Sequence, residues 1–375
     1  MRKVAVFFGG KSCENEISIL TGIFILNLLD SEKFTPFPIY IHTDGGMYTS
    51  SDMTNLNVFK EKRVSAFERI FLDEGNVYAL NEKKSRVKRL AKIDVAINCC
   101  HGGLGEGGGV SALAAWNGIP LASPDLTASG VFMDKGMTKL IARALNVPTV
   151  DYIRVNEKDY ERRGAFLLKS IRGRLKYPVI IKPAHLGSSI GITLAQNEEE
   201  VKEALAAAFT LDDRVIIEKY LAKKQDVNCA AYSLHGKIIV SEPELAFGEG
   251  IYSFEDKYLR RSGDHGTPIS SKGGGRYAVS GELREKIRSY TRTVYKRMNL
   301  QGVVRMDFLI SEGKAYLCEV NTVPGSLAYY LFCDRIIEAR QFLSDLIDTA
   351  WQEGQQSEKK LVTTGILQSV RVKTK

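Results

Sequence analysis

Four residues toward the carboxy-terminal end of the chain have the types and spacing to hold a divalent cation against an anionic substrate: Arg305, Asp307, Glu319 and Asn321. They stand in two apolar runs, Val303 to Ile310 and Ala315 to Val320, separated by Ser311-Glu312-Gly313-Lys314. Runs of this length around a Gly-containing break predict a β-hairpin. Side chains alternate along a strand, so Glu319 and Asn321 share one face, Arg305 and Asp307 share another, and antiparallel pairing can bring the two sets together. Three hard oxygen ligands with room for water and phosphate oxygens suit Mg²⁺, and Arg305 adds a fixed cation. A merely solvated polar face would not set these groups into otherwise apolar strands that run on into Asn-Thr-Val-Pro324-Gly325.

Other stretches add anion-binding chemistry. Tyr177-Pro-Val-Ile-Ile-Lys182-Pro-Ala-His-Leu-Gly187-Ser188-Ser189-Ile-Gly191 carries a lysine on a short strand into a loop rich in amide and hydroxyl donors. It is not a Walker loop, because the lysine precedes the glycines. His101 ends a buried run, Asp94 to Asn98 and Cys99-Cys100, and six glycines follow within residues 102–109. The carboxyl end of a strand is where open α/β sheets bind ligands. Near the start, Val4 to Phe8 predicts a central parallel strand, followed by Gly9-Gly10-Lys11-Ser12, Glu14, Glu16 and a helical run over Ile17 to Leu29. Ser12 is the expected helix N-cap.

The elements that must position these groups belong to a globular chain of 375 residues, with 44% hydrophobic and 26% charged residues. That length allows two or three domains with ample core. No run approaches the ~18 apolar residues of a membrane span, and the first residues read as a buried strand rather than a signal peptide. The six cysteines are scattered, without zinc spacing, which suits a reducing cytoplasm better than a disulfide framework. A net charge of +8 could mark a nucleic-acid binder, but the Lys and Arg are dispersed, and basic clefts for a nucleotide account for the excess more economically.

In this order the motifs resemble those of the D-alanine–D-alanine ligase family of ATP-grasp enzymes, over Val4 to about Ala350. The resemblance implies an ATP-grasp fold, α/β and α+β, with an amino-terminal doubly wound domain. The implied divisions are 1–134 for that domain, 135–220 for a small central domain, 221–357 for a carboxy-terminal domain with the lid and metal hairpin, and 358–375 for a basic tail. It implies ATP and D-alanine as substrates, two Mg²⁺ or Mn²⁺ ions on Asp307, Glu319 and Asn321, and a homodimer with neither nucleic-acid nor membrane partners.

By the same resemblance, Glu16 in Gly-Gly-Lys-Ser-Cys-Glu-Asn-Glu-Ile-Ser reaches the ammonium of the first D-alanine and forms a trio with Ser188 and Tyr258. His101 lies at the substrate. Lys135, in Met133-Asp134-Lys135, and Lys182 approach the phosphates of ATP. Glu218, Lys219 and Leu221 line adenine, with Asp226 near the ribose. Tyr252-Ser-Phe-Glu-Asp-Lys257-Tyr258-Leu resembles the mobile loop, with Lys257 on phosphate. Arg305 and the backbone near Gly325 hold the oxyanion. The family's motif His-Gly-x-x-Gly-Glu-Asp-Gly has Gly107 here in place of its Asp. Where the family usually has a serine followed by leucine at the second substrate's carboxylate, this chain has Tyr330-Leu331. The implied reaction is ligation for peptidoglycan synthesis. The alternatives are a dipeptide ligase with a different second substrate and a nucleotide-binding homologue without turnover.

Overall fold

The computed structural model describes residues 1–60, 66–81, 86–246 and 279–356. The expected lid motif around Lys257 and Tyr258 and the basic tail lie outside the described residues.

The first third contains β1 (Arg2–Gly9), α1 (Asn15–Leu28), β2 (Phe34–Ile41), β3 (Met47–Thr49), α2 (Asn57–Lys60), β4 (Glu68–Asp73), β5 (Asn76–Asn81), β6 (Arg86–Lys92) and β7 (Val95–Asn98). Their sheet has the order β6-β5-β4-β3-β2-β1-β7. Val4 to Phe8 are wholly buried because β1 sits between parallel neighbours on both sides, as a continuous apolar run requires. The other four strands extend this parallel core as an antiparallel meander. Ser12 does not cap α1. Glu14 is the residue before the helix, while the Ser12 hydroxyl donates to the His101 carbonyl at 2.6 Å and accepts from the Glu14 N–H. The turn is thereby tied to the second glycine-rich loop.

Next come α3 (Val110–Trp116), α4 (Leu126–Met133) and α5 (Lys135–Ala144). Asp134 separates α4 from α5. The Asp134 carboxylate accepts from the N–H groups of Gly136 and Met137 and so starts α5 afresh. The central part is β8 (Tyr152–Asn156), α6 (Glu157–Ser170), β9 (Val179–Pro183), β10 (Thr193–Ala195), α7 (Glu198–Phe209) and β11 (Arg214–Lys219). Its antiparallel sheet has the order β10-β9-β11-β8. Asn197 caps α7, and Val201, Ala204, Leu205 and Ala208 lay one helix face on the sheet.

The last sheet is built from β12 (Gln225–Leu234), β13 (Lys237–Val240), β14 (Glu244–Leu245), β15 (Val303–Ser311) and β16 (Lys314–Asn321). It has the order β13-β12-β15-β16, with β14 against β12, and is flanked by α8 (Gly281–Arg297) and α9 (Ile336–Gln356). The expected hairpin is present. Its turn residues Glu312 and Gly313 both have positive φ, 50° and 71°, which is the backbone of a tight two-residue hairpin loop.

Three of the four apolar cores involve single or adjoining units differently. One joins the first sheet to the last, with Val4, Val6 and Phe8 packed in the same cluster as Tyr232, Val303, Phe342 and Ile347. Another places Ala142 and Val147 with the last sheet. The central core, from Val155 to Ile217, contains only residues of the central part.

Candidate active site

Ladder register decides which hairpin side chains meet. Asp307 stands opposite Glu319 and Arg305 opposite Asn321, while Phe308 pairs with Leu317, so Cys318 is the extra residue of a β-bulge. The bulge lets Glu319 face Asp307 even though Leu317 is turned to the core. On the other side β12 sets Asn228 beside Asp307 and Asp226 beside Leu309. Arg305 forks onto Asp307, donating from Nε to Oδ1 at 2.7 Å and from Nη2 to Oδ2 at 2.9 Å; Asn321 donates to Oδ2 at 3.0 Å. The remaining edge of the guanidinium donates from Nη1 to the Tyr330 hydroxyl at 3.2 Å. Burial works against the charge of Arg305, but Asp307 and Tyr330 outweigh it and hold its pKa well above the ordinary range. Carboxylates directly opposed on a ladder repel, and a divalent cation between Asp307 and Glu319 would remove that repulsion. The hard-oxygen donor set fits such an ion.

Lysines approach this face from β9 and from α5. Lys182 on β9 donates to Glu218 Oε2 at 2.7 Å and has Cys318 Sγ at 3.9 Å, which places it beside the bulge. Lys139 on α5 meets the other oxygen of Glu218 at 3.0 Å. Burial alone would raise the Glu218 carboxyl; Lys139 and Lys182 outweigh it and hold it down at about 2. Burial likewise opposes the charge of Lys182, and Cys318 and Glu218 overcome it, keeping its pKa above the usual lysine range. Both Glu218 oxygens are therefore committed to lysines. Lys135, at the start of α5, donates to the Leu186 carbonyl in the loop after β9. That loop is fixed further by His185, whose Nδ1 lies 2.9 Å from Asp212 and whose Nε2 lies 3.7 Å from Asp134. Lys219 is exposed at the end of β11, and Leu221 is half-buried just after it. Asp226 is paired with Lys224 at 2.6 Å.

The expected role of Glu16 is not supported. Glu16 lies in the first turn of α1 and is exposed, whereas Glu14 is buried and accepts a hydrogen bond from the Ser188 hydroxyl. Two glycines make room for the Glu14 carboxylate. A Cβ on Gly187 would lie 2.6 Å from its Oε2, and one on Gly102, at φ 67°, would lie 2.7 Å away.

A family model described as D-ala D-ala ligase N-terminus matches residues 3–124, and one described as D-ala D-ala ligase C-terminus matches residues 141–350. The chain belongs to the D-alanine–D-alanine ligase family. A D-alanine–D-alanine ligase of Thermosipho africanus is 32% identical over 366 residues, covering 96% of each chain, and one of Campylobacter jejuni subsp. doylei is 31% identical over 337 residues, covering 88% of this chain and 90% of its own. Among solved structures, the D-alanine–D-alanine ligase of Helicobacter pylori superposes with a TM-score of 0.74 at 26% identity, covering 92% of this chain and 98% of its own. The VanG D-Ala:D-Ser ligase of Enterococcus faecalis has the same fold, with a TM-score of 0.73 at 23% identity and coverage of 93% and 99%.

In this ligase a turn at Gly325–Leu331 follows the hairpin. Ser326, Leu327 and Ala328 take left-handed φ of 50°, 54° and 51°, a conformation that costs non-glycine residues roughly 1–2 kcal/mol each. Such strain persists where the surroundings enforce it, commonly at functional sites. The turn delivers Tyr330 to Arg305. The side chain of Leu331 goes instead into the core shared by the first and last sheets, so any contact it makes with substrate is through backbone.

Sequence reasoning passed over Glu14, Glu106 and Lys139. Glu106 accepts from the Gly102 N–H at 2.8 Å and from the Val323 N–H at 3.3 Å, linking the glycine-rich loop to the exit of the hairpin. Burial pushes its carboxyl up to about 7. Its place in the glycine run was the available signal: one acidic residue among six glycines. His101 is buried, with Nε2 at 2.8 Å from the Thr21 hydroxyl.

Burial pulls the His101 pKa down to about 4, below an unfolded value of ~6.5. The neutral ring's contribution to stability is therefore complete above ~6.5 and is lost as pH falls toward about 4. Between pH 7 and pH 5, wild type should lose about 1–2 kcal/mol more unfolding free energy than His101→Gln. Urea titrations of both proteins at the two pH values measure this, and equal losses would show that the imidazole is not held neutral.

Proposed function

We propose that this chain uses ATP to join D-alanine to a second amino acid, D-alanine foremost, through an acyl phosphate, and that it supplies peptidoglycan precursors in the cytoplasm. The observation that most supports the reading is the ladder pairing of Asp307 with Glu319 beside Lys182, because it gathers cation ligands and a phosphate-seeking lysine on one face. We divide the chain as 1–134, 135–220 and 221–357, with ATP between the second and third parts. A homodimer that engages neither nucleic acid nor membrane belongs to the same proposal; no helix among the described residues is long and apolar enough to cross a membrane.

In this mechanism Lys135 and Lys182 hold ATP phosphates, while Glu218, Lys219, Leu221 and Asp226 border the nucleoside. Asp307, Glu319 and Asn321 would hold two Mg²⁺ or Mn²⁺ ions, which when bound neutralise charge on the transferring phosphoryl group. Glu14, in the role expected of Glu16, orients the ammonium of the first D-alanine with Ser188, and His101 stands behind it as a neutral ring. The carboxylate oxygen attacks the γ-phosphorus and ADP leaves. The amine of the second substrate then attacks the acyl carbon, sheds its proton, and phosphate departs. Arg305 and the backbone at Gly325 hold the developing oxyanion. Lys257 and Tyr258 are proposed to close over this site.

The contact between Tyr330 and Arg305 favours a second reading of the acceptor. A phenol there places a rigid ring beside the reacting carbonyl, and an overfilled pocket costs ~1–3 kcal/mol. Acceptor choice is therefore shifted, while the product remains a peptide. The test is amino-acid-dependent ADP release with D-alanine as donor and D-alanine, D-serine, glycine or D-lactate as competing acceptor. Absence of D-alanine-dependent ADP release would overturn the assigned reaction, and preferential ester formation would overturn the amine acceptor. Tyr330→Ser should change relative acceptor preference by roughly tenfold; an unchanged ranking would remove Tyr330 from the pocket.

A further inference from the structure

Around Glu218 lie more positive groups than one carboxylate can balance. Lys139 is wholly buried on α5, one turn beyond Lys135, and its Nζ is 3.0 Å from Glu218 Oε1. Glu218 is 3% exposed, and its other oxygen accepts from Lys182, itself 9% exposed, at 2.7 Å. The Tyr152 ring lies 5.6 Å from the Lys139 ammonium and adds no charge. At contact range there are thus two ammonium groups for one carboxylate, in a setting where unbalanced charge is costly. Glu319 is the next acidic group acting on Lys182; it stands opposite Asp307 on the ladder, where a divalent cation would draw its charge away from the lysine.

We infer that Lys139 is a positioning residue for ATP: it neutralises Glu218, so that Lys182 keeps an unspent positive charge for phosphate. The inference rests on the reading of Lys182 as a nucleotide ligand. Without Lys139, Glu218 and Lys182 would form a closed one-to-one pair, and an incoming phosphate would compete with a buried carboxylate for the same ammonium. Lys139 touches no substrate in this account. Its effect passes through Glu218, and it should appear in nucleotide affinity rather than in the chemical step.

The experiment measures ATP affinity by calorimetry, and KM and kcat, for wild type, Lys139→Met, Glu218→Gln and the double variant. Lys139→Met should weaken ATP about tenfold or more, raise KM for ATP in parallel, and leave KM for D-alanine unchanged. In the Glu218→Gln background the same change should cost almost nothing, because no carboxylate remains to be neutralised. A purely structural lysine would give no such rescue. That second comparison decides the matter even if Lys139→Met alone does not fold. Unchanged ATP affinity in Lys139→Met, or an equal loss in both backgrounds, would overturn the inference while leaving the proposed reaction standing. Failure of wild type to bind ATP would overturn the reaction and the inference together.

Discussion

Glu319→Gln should lower kcat by about 10²–10⁴-fold, the loss expected when several kcal/mol of charge stabilisation is removed at the transferring phosphoryl group. The fold should survive, because the replacement is isosteric and removes one of two carboxylates opposed on the ladder. In metal-free buffer its melting temperature should equal or exceed that of wild type. Asp307→Asn should be as damaging to turnover for an additional reason. Asp307 receives two hydrogen bonds from Arg305, and a neutral amide cannot balance that half-buried guanidinium. Arg305 should then loosen, and KM for the acceptor should rise in this variant more than in Glu319→Gln. Steady-state kinetics over a Mg²⁺ series measures both effects. Turnover like that of wild type at limiting Mg²⁺ in both proteins would reduce the hairpin to a structural element.

Glu14→Gln and Glu16→Gln should differ by at least about a hundredfold in kcat/KM for D-alanine, with Glu14→Gln the impaired protein. Glu14 is clasped between Gly102 and Gly187 and bonded to Ser188, so its charge faces the site. Glu16 points into water, and a surface substitution of this kind stays within about 0.5 kcal/mol. A reversed order would return the role to Glu16. Because the two glutamates differ by only two positions, the comparison also tests how the first glycine turn feeds into α1.

How legible the site was depended on what kind of geometry each residue obeys. Strand alternation places Glu319 with Asn321 and Arg305 with Asp307, but a regular ladder from the two-residue turn would set Asp307 opposite Cys318. The bulge at Cys318 was not readable, yet it is what sets Glu319 opposite Asp307. Glu14 and Glu16 defeated the reading because both precede an apolar helical run, and only the exact start of the helix decides which turns inward. Lys139 carries no local signal; its importance arises from β11, some eighty residues later, which brings Glu218 to it. The parallel pair beside β1 followed from its unbroken apolar run, whereas the meander from β3 to β6 was visible only as alternating strand and loop signals. Asp134 as a helix break was hidden because its carboxylate satisfies the backbone that a continuous helix would have bonded.

The way the apolar cores are shared also determines which part of the molecule can swing. The first and last sheets are fused by one cluster running from Val4 to Ile347, and rotating one against the other would open oily surface to water. The central sheet keeps its core to itself. Its ties to the rest near the cleft are polar: Ser188 to Glu14, Lys135 to Leu186, Arg214 to Asp134, and Glu218 to Lys139. The more exposed of these, such as Arg214 to Asp134, can exchange with water at little net loss. Of the three sheets, the central one is therefore the one whose seam with its neighbours near the cleft is polar, while the other two are held to each other by a shared oily core.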